Sequence, residues 1–132
     1  AAGPQSIVGS WMGTAGGGAA VVLASFTPDG LALGSVQGQV SLNSPSLTTI
    51  HGVWTHLGGR QFTSTNVALL YDVQTGQYQG YIKIRLLLTV SADGDQVSGT
   101  DKVQIFGTGG DLVNTFPETT VNYKRIKVEP FN

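Results

Sequence analysis

Turn-forming residues cut this chain into short pieces, and that punctuation limits its fold more than any other feature. Gly16-Gly17-Gly18, Pro28-Asp29-Gly30, Gly58-Gly59, the stretch 72–76 and Ser91-Ala92-Asp93-Gly94-Asp95 each close a run rich in β-branched and aromatic residues. Pro presets φ and Gly accepts positive φ, so Pro28-Asp29-Gly30 is a turn with a physical cause. Two such runs flanking Gly58-Gly59 read as a hairpin over 49–71. No window repeats apolar side chains at the spacing of a helix face. The strand-like runs are 6–14, 19–27, 31–40, 49–57, 60–71, 77–90, 96–106 and 119–128, with loops at 42–47 and 107–117. Such a series predicts an all-β fold, an antiparallel up-and-down barrel of about eight strands whose interior can hold one small ligand. A two-sheet sandwich is the rival, but its Greek-key connections need longer crossings than these turns provide.

The 132 residues fit a single domain spanning 1–132, and a chain of this length buries roughly two-thirds of its unfolded surface. Charged residues make up 11%, against an average near 25%, so Thr, Ser, Gln, Asn and Gly cover much of the surface. A net charge of −1 offers no basic field to hold a phosphate backbone, which argues against nucleic acid as a partner. The absence of cysteine removes disulfides, thiolate chemistry and cysteine-based zinc sites. No apolar run approaches the ~18 residues of a membrane-spanning helix. Small residues at the start, Ala1-Ala2-Gly3, fit a mature exported chain and equally a trimmed or processed cytosolic one, so the compartment stays open.

Gly9-Ser10-Trp11, on the first strand, resembles the Gly-x-Trp motif of the lipocalins and wider calycins, and the chain is similar to the small bacterial lipocalin-like proteins. The resemblance implies that Trp11 closes one barrel end and that a basic residue of the last strand packs over its indole. Within Tyr123-Lys124-Arg125-Ile126-Lys127 that residue is Arg125, with Lys124 as the alternative. An Arg over a Trp face gains cation–π attraction and can bond carbonyls at the barrel end. The chain departs from classical lipocalins in its shortness, in lacking a helix signal after the last strand and in lacking a central Thr-Asp-Tyr segment. Its first third is also similar to avidins, with Gly-x-Trp followed by a strand and an Asp-Gly turn, but the tryptophan-rich middle strands of avidins are missing.

Both histidines lie in the 49–71 hairpin. His51 and His56 are five positions apart, so a regular strand points them to opposite faces and they cannot form a metal pair or a joint acid–base pair. A two-residue Gly58-Gly59 turn pairs Leu57 with Arg60 and, counting back, His51 with Asn66; a one-residue slip inverts that assignment. His51 reads either as a strand histidine bonded to a neighbour such as Asn66, or as a polar anchor or general base in a cavity. His56, beside the turn, reads as exposed. Candidate ligand-binding side chains are His51, Trp54, Phe62, Asn66, Tyr71, Tyr81 and Tyr123, because cavity walls are mostly apolar and aromatic with few polar groups. Core packing accounts for the same distribution. Asp29, Asp72, Asp93, Asp95 and Asp111 sit in turns, where Asp bonds its own backbone. Asp101 alone lies inside a strand, beside Lys102, and reads as half of a structural ion pair. No nucleophile elbow, phosphate loop or metal-ligand cluster is visible, and nothing calls for a cofactor or a metal.

The run 77–90 separates into an inward set, Ile82, Ile84, Leu86, Leu88 and Val90, and an outward set, Tyr81, Lys83, Arg85, Leu87 and Thr89. Leu86-Leu87-Leu88 is apolar on both sides, and an outward apolar strip on a barrel so poor in charge predicts a homo-oligomer, most simply a dimer. Three functions remain compatible with these residues. The first is a small-molecule binding protein with an apolar or aromatic ligand in a hydrophobic cavity. The second is a cofactor-independent barrel enzyme of isomerase, cyclase or lyase type, with His51, Tyr71 or Tyr123 moving a proton. The third is a structural or assembly protein.

Overall fold

The computed structural model describes residues 6–40 and 45–131. The small residues at the N-terminus, and residues 42–44 of the loop expected at 42–47, lie outside the described residues. Ten strands form one antiparallel sheet: β1 (Gly9–Ala15), β2 (Ala20–Phe26), β3 (Leu31–Val36), β4 (Ser46–Leu47), β5 (Ile50–Gly58), β6 (Gln61–Tyr71), β7 (Tyr78–Val90), β8 (Gln96–Phe106), β9 (Leu112–Thr115) and β10 (Thr119–Arg125). Eight of them run round a closed barrel in the order β1-β2-β3-β5-β6-β7-β8-β10, and β10 completes the circle by pairing with both β8 and β1. The two short strands are satellites: β4 pairs with one end of β6 and β9 with one end of β8. The expected all-β barrel is therefore the fold found. Two short strands occupy parts of the segments read as loops, and the helical content among the described residues is a single 3-10 turn at Gly16–Gly18. Among the described residues no helix is long and apolar enough to cross a membrane.

Closure follows from the period-2 pattern. Along β7, Ile82, Ile84, Leu86, Leu88 and Val90 point inward while Arg85 and Leu87 face solvent, as the alternation requires. We term the barrel end where β1 begins the lower end and the opposite one the upper end. At the lower end Trp11, Phe26, Phe62, Leu88, Val90 and Val97 pack with Ile7 in the buried core. Full burial of side chains of this size stabilises by roughly 1.5–3 kcal/mol each.

Trp11 and Arg125 meet at this end. They are direct cross-strand partners, and the guanidinium carbon lies 4.3 Å from the indole centroid. The Arg125 fork donates from Nε to the Gly94 carbonyl at 2.8 Å, from Nη1 to that of Val8 at 2.7 Å and from Nη2 to that of Ser6 at 2.7 Å. Trp11 Nε1 donates to the Ile7 carbonyl at 2.9 Å. Gly9 makes room for this arrangement: its φ is +132°, and a Cβ there would stand 2.7 Å from Arg125 Nη1. The spacing of the Gly-x-Trp motif thus has a local physical reason. Lys124, the alternative partner, is exposed.

The 49–71 hairpin differs from the register counted from its turn. An irregularity between His56 and Gly58 shifts the pairing by one residue, so His51 is opposite Val67, Gly52 opposite Asn66 and Trp54 opposite Ser64. Gly58 and Gly59 both take positive φ, and the extra residue is absorbed as a bulge. Gly52, Trp54 and His56 consequently share the inner side with Phe62, Ser64 and Asn66, while His51, Val53 and Thr55 share the outer one.

Candidate functional site

Above the packed lower core the barrel is hollow. The chamber has a volume of about 300 Å³, with its walls built mainly from apolar side chains of β2, β3, β7 and β8, among them Val22, Val36, Ile84 and Val103. Four polar groups interrupt this lining: Gln37, just past the end of β3, Asn66 from β6, Asp101 from β8 and Tyr123 from β10. The chamber occurs where small inward residues succeed the large aromatics of the lower core. Ala24 and Gly34, direct cross-strand partners, leave space in this wall that Phe26 fills one level down.

Asn66 is held rigidly. Its Nδ2 donates to Ser64 Oγ at 2.9 Å and to the Ile84 carbonyl at 3.1 Å. Gly52 makes that position possible, since a Cβ there would stand 2.1 Å from Asn66 Oδ1. The amide therefore spends both donors on the wall and keeps its carbonyl oxygen as an acceptor.

Among the described residues Asp101 is the one charged group that lines the chamber, and it is only 5% exposed. Its Oδ1 accepts from the Thr119 backbone N–H at 3.2 Å and from the Thr119 hydroxyl at 2.5 Å. The structural ion pair expected for this residue does not form. Lys102, the next residue along β8, points outward and sits 4.0 Å from Glu118. Alternation sends neighbours on a strand to opposite sides of the wall, so the two cannot pair.

Tyr123 stands on the neighbouring strand and is 4% exposed. Among the described residues its hydroxyl makes no hydrogen bond, yet no fully enclosed polar side-chain atom is left without a partner; the hydroxyl is thus not sealed off, and the residue lines the chamber. Burial, and secondarily the negative charge of Asp101, push its pKa up to about 12. The phenol is accordingly neutral over the physiological range and keeps its proton for donation.

The remaining candidates are distributed differently. Trp54 and Phe62 belong to the lower core side, packed edge to face with centroids 5.8 Å apart, and Trp54 Nε1 donates to the Thr27 carbonyl at 2.9 Å. His56 leans on Phe62 and contacts the Gly59 carbonyl through Nε2 at 2.7 Å. Tyr81 is on the outer face, stacked on Phe106 at 4.8 Å with Lys83 over the same ring. Tyr71 ends β6 beside a bulge and does not line the chamber. His51 is on the outer face between Leu33 and Val67, exposed to solvent. It neither bonds Asn66 nor reaches the chamber, because the hairpin bulge moves Gly52 into the place assigned to it.

Of the seven candidate ligand-binding residues, the chamber brings together Asn66 and Tyr123, and it adds Asp101. The signal that could have found Asp101 is its parity: it shares the inward set of 96–106 with Val97 and Val103. A second concavity, about 410 Å³, lies at the lower end and is lined by Met12, Arg60, Val90, Val97, Asn122 and Tyr123 among others. No group of three or more metal-ligating side chains occurs among the described residues. Comparison with protein-family models, curated proteins and solved structures finds no match.

Proposed function

We propose that the protein binds a small, largely apolar molecule in the upper chamber, in the manner the lipocalin resemblance implies. The observation that carries this reading is the contrast between the two ends of one barrel. Large buried side chains crowd the lower end, whereas above them lies about 300 Å³ of mainly apolar space whose polar lining is limited to Gln37, Asn66, Asp101 and Tyr123. Ligand sites are concave, mostly apolar and equipped with a few placed polar groups. The volume corresponds to about ten water molecules at liquid density, which sets the ligand size at a single ring with a short side chain. The test is calorimetric titration with 2-phenylethanol of the wild type and of Val36→Trp, which places an indole at the chamber wall. Saturable binding lost in the variant supports the reading; equal binding by both folded proteins, or none by the wild type, overturns it.

A second reading rests on one further observation. A carboxylate and a neutral phenol face the same chamber from adjacent strands, an acceptor and a donor of the kind general acid–base catalysis requires. On this reading the barrel is a cofactor-independent isomerase, cyclase or lyase, with Asp101 as base and Tyr123 as acid. His51 and Tyr71 have no part in it. Substrate turnover lost in Tyr123→Phe with binding retained would distinguish an enzyme from a carrier.

The homo-oligomer belongs here too. Of the 15 charged residues, 7 basic and 8 acidic, only Asp29 and Arg60 precede Asp72. Strands β1, β2, β3, β5 and β6 therefore carry no Lys, Arg, Asp or Glu, and their outer faces present half-exposed Leu23, Leu31, Leu33 and Val53. An uncharged apolar face is self-complementary, since nothing on it repels its own copy, and the fitting occupant is a second copy of the chain related by a two-fold axis.

A further inference from the structure

Asp101 is a charge enclosed by a wall that offers it no opposite charge. Lys, Arg and His are all absent from the chamber lining. Lys102 faces outward toward Glu118. Arg60 bonds the Val90 carbonyl, and Arg125 is committed to Trp11 and three carbonyls at the lower end. A buried carboxylate with no cationic partner is costly, and that cost is relieved by whatever brings a positive charge within reach. Thr119 supplies two hydrogen bonds to one oxygen only. The second oxygen has no hydrogen-bond partner among the described residues, and no enclosed polar atom is orphaned, so it is open to the chamber.

Of the other polar groups, Gln37 is exposed and its Oε1 accepts from the Val21 N–H at 3.1 Å, while Asn66 and Tyr123 favour the same ligand head. Asn66 has spent both amide hydrogens on Ser64 and Ile84, and offers an acceptor. The Tyr123 hydroxyl can accept as well as donate. An ammonium group has three donors and no acceptor, so it matches two acceptors and one adaptable hydroxyl. A carboxylate or phosphate would face a like charge in a water-poor space.

We propose that the chamber selects a primary amine, with the protonated nitrogen on Asp101 and the carbon skeleton in the apolar space lined by Val22, Val36, Ile84 and Val103. The inference rests on the chamber being a ligand site and adds the charge of the ligand to it. Three probes of similar shape separate the two claims: 2-phenylethylamine, 2-phenylethanol and 3-phenylpropionate, titrated at pH 7 by calorimetry. The amine is expected to bind at least tenfold more tightly than the alcohol, with no measurable binding of the acid. Asp101→Asn should abolish the preference, bringing amine and alcohol affinities within about twofold of each other. Alcohol binding equal to amine binding would overturn the inference and leave the cavity reading standing; a preference for the acid would do the same. No binding of any probe would overturn both. Should Asp101→Asn fail to fold, the ranking of the three probes on the wild type still decides, and Tyr123→Phe, which keeps the ring, should retain the amine preference.

Discussion

Tyr123 has a measurable consequence at the level of a single side chain. Its pKa rises from 10.0 to about 12 in the folded protein, so between those values the folded state holds a proton the unfolded state has lost. Stability from this source is fully present below pH 10 and disappears as pH climbs through 12, and it amounts to at most ~2–3 kcal/mol. Urea unfolding of the wild type should weaken over that interval, and Tyr123→Phe should flatten the dependence. Arg125 offers a second check. Lysine keeps the charge but cannot reproduce three directed bonds and a stacked plane, so Arg125→Lys should cost ~2–3 kcal/mol with an unchanged m-value. At this scale the sequence was partly transparent. Trp11 and Arg125 could be named because a short motif announces their geometry. Asp101 is readable only through strand parity, which sends it and Lys102 to opposite faces and rules out the ion pair that their adjacency suggests.

For the β5–β6 hairpin, one bulged residue decides which side chains meet. The Gly58-Gly59 turn and both strands were readable from propensity and punctuation alone. The register was not, since a two-residue turn and a bulged turn share the same glycines while sending opposite faces inward. Gly52 marks the outcome. Its missing side chain lets Asn66 lie across the strand, and a Cβ would also stand 2.6 Å from the Thr65 carbonyl. Gly52→Ala should therefore destabilise by ~1–3 kcal/mol through forced strand separation. It should also weaken 2-phenylethanol binding by displacing Asn66, both effects being read by denaturant titration and calorimetry. His51→Ala, on the outer side of the same strand, should leave ligand binding unchanged.

Taken whole, the molecule has a charged half and an uncharged half. The barrel was legible because eight strands joined by short turns have few other ways to bury one face each. The chamber was not, because a cavity depends on which rows of small and large side chains coincide after closure. The uncharged half leads to a test of association. Leu31 and Val53 are cross-strand partners, each more than half exposed. Val53→Lys would set two ammonium groups against each other across a two-fold axis. Light scattering at micromolar concentration should give a dimer for the wild type and a monomer for the variant; a monomeric wild type would sink the self-association reading.

The seam closed by Arg125 also carries information about time. Its bonds to Val8 and Ser6 join groups 117 and 119 residues apart in the chain. Contacts of such separation form only after most of the loop-closure entropy has been lost. The clasp therefore belongs to the last stage of folding, after the hairpins between β5 and β8 have already formed. Weakening it with Arg125→Lys should steepen escape from the native state while hardly touching entry into it. In a chevron plot the unfolding arm should rise and the folding arm should stay where it is, making this one arginine a latch on the lifetime of the closed barrel.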